Sequence, residues 1–257
     1  MEDFWKSVQT IQAERGVDYR AFTLFSAAHW AELLGAFVIV FLCAVIYHRC
    51  REMTRHQILR AVFVLMLADE FMKQAALLYT GQWNVTYLPL HLCSINIFVC
   101  WYDAIHDSRR SKEILYAVCL PGAVIAMLSP SWQRLPFWNL MHLHSYSIHV
   151  LLMLYPVLLL AGGFRPQVHH IRWVLFFLCA TATPIFFLNR MLKTNFFFLN
   201  DPQGNAITAF FARCLGERFF QLGFLPVLAA VLVFLYLPWY RLERHQRTIS
   251  ARNQVLV

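Results

Sequence analysis

The sequence predicts an all-α, polytopic membrane protein of seven transmembrane helices, with its N-terminus outside and its C-terminus inside. Three observations carry that expectation. Of 257 residues, 59% are hydrophobic and only 14% charged, whereas soluble domains are charged at roughly a quarter of their positions. Apolar runs of about twenty residues, the length a helix needs to cross the hydrocarbon core, recur along the chain. Lysine and arginine collect in alternate connections between those runs, which sets the orientation.

The chain opens with a lead-in over residues 1–27. Its charges, Glu2, Asp3, Lys6, Glu14, Arg15, Asp18 and Arg20, are not followed by a small-residue cleavage site, so a removable signal peptide is not expected. A membrane domain is expected over 28–240 and a basic cytoplasmic tail over 241–257. The first span, at 28–48, holds His29 and Glu32 near its start and is followed by Arg49, Arg51 and Arg55. The second, at 58–80, carries Asp69, Glu70 and Lys73 near its middle; Asp69 and Lys73 stand at i and i+4, the spacing of a self-neutralising salt link on one helix face. After a break at 81–85, Pro89 enters the third span, at 87–105. Pro121 and Gly122 interrupt the fourth, at 113–128, which is expected to be kinked or partly re-entrant. The fifth covers 139–161 after a Pro-rich loop, and the sixth, at 171–192, contains Pro184. Residues 193–217 read as a partly ordered interfacial flap, and the seventh span covers 219–240.

With the N-terminus outside, the inner segments hold Arg49, Arg51, Arg55, Arg60, Arg109, Arg110, Lys112, Arg165, Arg172, Arg241, Arg244, Arg247 and Arg252. The outer ones hold only Lys6, Arg15, Arg20, Arg134, Arg190, Lys193, Arg213 and Arg218. The net charge of +8 is therefore read as membrane orientation, and no nucleic-acid partner is expected. An odd helix number without visible self-similarity argues against an inverted-repeat transporter. Seven scattered cysteines give neither a disulfide framework nor a CxxC zinc pattern.

The chemistry concentrates at 88–98, where His91, Cys93, Ser94 and Asn96 enter an apolar stretch directly after Pro89. Polar groups at membrane depth require partners and are functional candidates. His91 lies two residues from Cys93 and points elsewhere, whereas Asn96, three residues on, shares the Cys93 face and Cys100 continues it. A thiol is only a few per cent thiolate at neutral pH, so a nucleophilic Cys93 needs a base from another span. The fifth span offers His142, Ser145, Tyr146 and His149 at i, i+3, i+4 and i+7, one polar face of an otherwise apolar helix; His144 falls off it. His142 and His149 stand about 10.5 Å apart along the axis, too far to share one metal ion. No metal or other cofactor is expected, and Cys93 with His149 is the favoured pair.

Pro89-Leu-His-Leu-Cys93-Ser, Tyr146-Ser-Ile-His149, Leu188-Asn189, Thr194-Asn195-Phe-Phe-Phe-Leu199 and Pro202, together with Phe22-Thr-Leu-Phe-Ser and His29, resemble the YwaF-type integral membrane proteins. That family is similar to an animal acyltransferase that moves a polyunsaturated acyl chain onto ether lysophospholipids, and more distantly to membrane threonine hydrolases of fatty acid esters of hydroxy fatty acids. The resemblance implies a bacterial plasma-membrane lipid acyltransferase or thiol lipase in which Cys93 and His149 match the catalytic cysteine and histidine. His144 is a competing position for the base. A thioester intermediate and a phospholipid or lysophospholipid partner follow from it. Ser94 or Asn96 would steady the oxyanion. Asn189 and Asn195 would hold the head group or the histidine, or else serve as helix caps and loop ties. His91, His142 and Tyr146 complete the expected substrate-binding set. The rival reading is a non-enzymatic carrier or receptor with a polar intramembrane pocket.

Overall fold

A computed structural model describes residues 3–202 and 206–255. Among them every regular element is helical. The chain forms two compact units, one ending at Phe164 and the other beginning at Arg165.

In the first unit the lead-in is not a loose tail. Helix α1 (Val8–Arg15) starts at Ser7, whose hydroxyl accepts the Thr10 N–H, and it buries Ile11 completely. The backbone N–H of Ser7 donates to the Gln82 side chain, and the Gln82 amide donates to the Trp5 carbonyl, so the segment is tied to the connection after α3. Helix α2 (Ala27–Arg49) begins at a Ser26 N-cap. At its far end the Arg55 guanidinium donates to the carbonyls of Tyr47, His48 and Gly162, closing the ends of α2 and α7 with one side chain.

Helix α3 (Glu52–Tyr79) buries Leu59, Val62, Met66, Glu70, Lys73 and Leu77. These recur three and four residues apart, so Glu70 and Lys73 lie on the apolar, inward stripe. Helix α4 (Leu92–His106) has 15 residues, about 22 Å of rise. Next comes a composite segment: α5 (Arg109–Ile114), a π-helical turn (Leu115–Cys119), α6 (Leu120–Leu128) and a 3-10 turn (Ser131–Arg134). The kink expected at Pro121 takes the form of that π turn. Proline has no N–H for the carbonyl four residues back, and the widened turn lies immediately before it.

Helix α7 (Leu140–Ala161) is the hub of the unit and packs against α2, α3, α4 and α6. Its N-cap, Asn139, is fully buried. The Asn139 oxygen accepts from the N–H groups of Met141 and His142, while its amide donates to the carbonyls of Asp3 at 2.6 Å and Lys6 at 2.8 Å. Asn139→Ala therefore removes a helix cap and strands buried carbonyls. We expect a loss of roughly 2–4 kcal/mol, read as a lower thermal midpoint. Asn139→Asp keeps the cap but not the donors and should fall in between.

The second unit contains α8 (Ile171–Leu192), α9 (Ala206–Leu215) and α10 (Phe224–Val255). The expected flap over 193–217 holds a 3-10 turn at Phe196–Phe198 and α9. Gly223 is required where α9 meets the turn before α10, because a Cβ there would lie 2.2 Å from the Phe211 ring.

Among the described residues, five segments are long and apolar enough to cross a membrane: Ala27–Arg49, Arg109–Arg134, Leu140–Ala161, Val168–Leu192 and Phe220–Gln246. The other two expected spans correspond to α3, which carries charges mid-length, and to α4, which is shorter.

Candidate functional site

The candidate residues lie at the start of α4 and along two faces of α7. Pro89 precedes α4, His91 occupies its N-cap position, and Cys93 is its second residue. The first intrahelical bond runs from the Ile95 N–H to the His91 carbonyl at 3.0 Å. The N–H groups of Leu92, Cys93 and Ser94 therefore precede the ladder and point out of the helix end, which carries partial positive charge. Ser94, the next residue after Cys93, brings its backbone N–H and its hydroxyl to the same helix end. Cys93 is partly buried and packs against the core cluster that includes Ile97, Cys100 and Ile148. Asn96 is 2% exposed. Its amide donates to the Leu92 carbonyl at 2.9 Å, and its oxygen has no partner. Exchanging the amide atoms would set two oxygens against each other, so the orientation is fixed by this bond.

On α7 the polar stripe divides between neighbours. Toward α2, the His142 Nε2 meets a Glu32 carboxylate oxygen at 2.7 Å, and the other Glu32 oxygen accepts from the Trp132 indole N–H at 3.2 Å. The Tyr146 hydroxyl donates to the Glu32 carbonyl at 3.0 Å. Because the His142 Nδ1 faces the Leu135 carbonyl at 3.2 Å, which only accepts, that nitrogen carries a proton. Trp132 stacks on the His149 ring, with centroids 5.2 Å apart and planes 25° apart. The His149 Nδ1 lies 2.6 Å from the Ser145 carbonyl. It too must donate, which leaves Nε2 of the neutral ring as a proton acceptor. Glu32, Trp132 and Ser145 thus fix the tautomer and tilt of His149.

Toward α3, the His144 Nδ1 meets Asp69 at 3.1 Å, and the Ser147 hydroxyl donates to the second Asp69 oxygen at 2.6 Å. Lys73 pairs with Glu70 at 2.6 Å, not with Asp69 as the i, i+4 spacing suggested. Asp69 is engaged across the helix interface by α7, while Glu70 also accepts from Gln74. His144, a competing position for the base, is held in this ion cluster. Helix α3, which carries Asp69, Glu70 and Lys73, packs against α4 as well as α7. Sequence reasoning did not assign roles to Glu32, Trp132 or Ser147. Glu32 had a signal, since a carboxylate in an apolar span needs a partner; Trp132 lies in a loop and had none.

A family model described as the TMEM164 family matches residues 24–236. The chain belongs to the TMEM164 family. Neither a search of curated proteins nor one of solved structures finds a match. As a TMEM164-family protein with several apolar membrane-length helices, it is an integral, multi-pass protein of a lipid bilayer.

The family match continues into the second unit, where Asn189 and Asn195 lie. Asn189 is 1% exposed. It donates to the Phe196 carbonyl and the Asn200 side chain, and its oxygen accepts from the Thr194 hydroxyl and the Phe196 N–H. These bonds fill its capacity. The Asn195 oxygen accepts from the N–H groups of Asn200 and Asp201, and its amide donates to the Asp201 carbonyl. In this TMEM164-family chain both asparagines fold the loop after α8.

Proposed function

We propose that the protein is a membrane-embedded lipid acyltransferase or thiol lipase, threaded seven times with the N-terminus outside, in which Cys93 is the nucleophile and His149 its base. The observation that carries this reading is the fixed tautomer of His149, whose Nδ1 proton is held by the Ser145 carbonyl so that Nε2 accepts. The position of Cys93 at the start of a helix, beside N–H groups that no intrahelical bond uses, supports it as well.

In the proposed reaction His149 Nε2 takes the Cys93 proton, and sulfur bonds to the carbonyl carbon of a phospholipid ester. The oxyanion collapses, the C–O bond breaks, and the departing lysolipid oxygen takes the proton back from His149. A lysophospholipid hydroxyl, or water, then gives its proton to His149, attacks the thioester and frees the thiol. The N–H groups at the start of α4 and the Ser94 hydroxyl are the donors suited to the oxyanion. The unpartnered Asn96 oxygen is an acceptor and suits the incoming hydroxyl.

The intramembrane cluster of Asp69, Glu70, Lys73 and His144 favours a second reading, a carrier of protons or a small ligand. Proteoliposomes separate the two. Wild-type protein should move a labelled acyl chain from phospholipid to lysophospholipid without creating proton flux across the vesicle wall. Proton flux lost on neutralising Asp69 or Glu70, with no acyl movement, would establish the carrier instead.

A further inference from the structure

A cavity of about 560 Å³ in the second unit is lined by Arg190 and Lys193 at the C-terminal end of α8, by Arg218 and Glu217 before the next turn, and by Asn200 and Gln221. None of its charged groups forms a salt bridge among the described residues. Cations at a helix C-terminus complement its dipole and need no ligand. Arg218, however, comes from a different segment and converges on the same cavity. Three cations against one carboxylate leave the lining at +2, opposite in sign to the roughly −1.5 to −2 of a phosphate monoester. The Arg190 guanidinium rests over the Phe186 ring, 4.9 Å from its centroid, which holds the planar fork in place. The floor is rigid and already satisfied. Asn189 is saturated, Asn200 donates to the Phe186 carbonyl, and Gln221 donates to the Leu199 carbonyl. The uncompensated donors are therefore the three cations at the rim, all exposed.

We infer that this cavity binds the phosphate of a phospholipid head group, with the acyl chain left in the bilayer. Among phosphate sources the lipid is favoured because the site lies at the end of an apolar, membrane-length helix. The inference concerns the second unit by itself and rests on the proposed activity only for the class of ligand. The charge balance of the cavity stands without it.

Binding is measured on full-length Cys93→Ala protein in a neutral detergent, so that no turnover intervenes. The probes are a lysophosphatidic acid, the monoacylglycerol of the same chain, and inorganic phosphate. The lysophosphatidic acid should bind. Arg190→Gln, Lys193→Gln and Arg218→Gln should each weaken it about tenfold, and Glu217→Gln should strengthen it. Monoacylglycerol binding should be unchanged by all four. Should Arg190→Gln fail to fold, Lys193→Gln and Arg218→Gln carry the test. Lysophosphatidic acid affinity indifferent to the substitutions, or monoacylglycerol affinity falling in parallel, would overturn the inference. Inorganic phosphate competing at the same concentration as the lysolipid would assign the cavity to free phosphate and overturn the lipid assignment. Normal charge-dependent binding to the Cys93→Ala protein, together with no acyl transfer by the wild-type protein, would uphold the cavity while removing the catalytic reading.

Discussion

Cys93→Ala is expected to abolish acyl transfer, with a loss of at least about a thousandfold, because Cys93 is the one thiol in the first turn of α4 and the neighbouring Ser94 hydroxyl is a far weaker nucleophile. His149→Ala should lower turnover by roughly 10² to 10⁴, the range for a positioned base. The double variant should be no worse than Cys93→Ala alone, since base and nucleophile act as one unit. Removing Trp132 or Glu32 reaches the same histidine indirectly. Glu32→Gln leaves the thiol untouched but weakens the hold on Trp132 and His142, so it should lower turnover more than it raises the substrate requirement. Rates of acyl transfer in mixed micelles, measured for the four variants at saturating lipid, decide these points. Full activity in Cys93→Ala would remove the nucleophile from the account.

Glu70→Ala is expected to give the largest loss of stability. Glu70 and Lys73 are each 9% exposed and meet at 2.6 Å. Deleting the carboxylate takes the ion-pair partner from a buried ammonium, while the Asp69 carboxylate one turn away is engaged by His144 and Ser147. Breaking one side of such a pair costs about 3–5 kcal/mol, and Asp69 places this case at the lower end. Glu70→Ala with Lys73→Met removes both charges and should recover most of the loss, because an apolar replacement of a buried pair is often neutral or better. Thermal midpoints of the single and double variants test this. A double variant less stable than the single one would show that Lys73 has a further partner.

Much of this was legible because bilayer physics is read directly from composition. Long apolar runs marked the helices, and the periodicity of His142, Ser145, Tyr146 and His149 marked an inward polar face. Partner choice was less legible. Helical spacing allows Lys73 to reach Glu70 at i−3 or Asp69 at i−4, and what decides between them is a second helix that claims Asp69. The same limit hid the docking of α1, which depends on Gln82 and Asn139, residues 72 or more positions away in sequence. Asn189 and Asn195 kept two meanings in the sequence. Their hydrogen bonds, which saturate Asn189 and hold Asn195 to Asn200 and Asp201, tie the loop, and the proposed head-group contact falls to the adjacent cations. The π turn before Pro121 was visible only as a break, because proline specifies a lost bond but not the geometry that absorbs it.

The most direct measurement is the intact mass of the protein after brief incubation with a phospholipid of defined acyl chains and no acceptor, followed by peptide mapping. The account predicts one acyl adduct, on Cys93, released by hydroxylamine as a thioester is, and missing from His149→Ala over the same interval. An adduct on another residue, or none in a preparation that nonetheless transfers acyl chains, would contradict it.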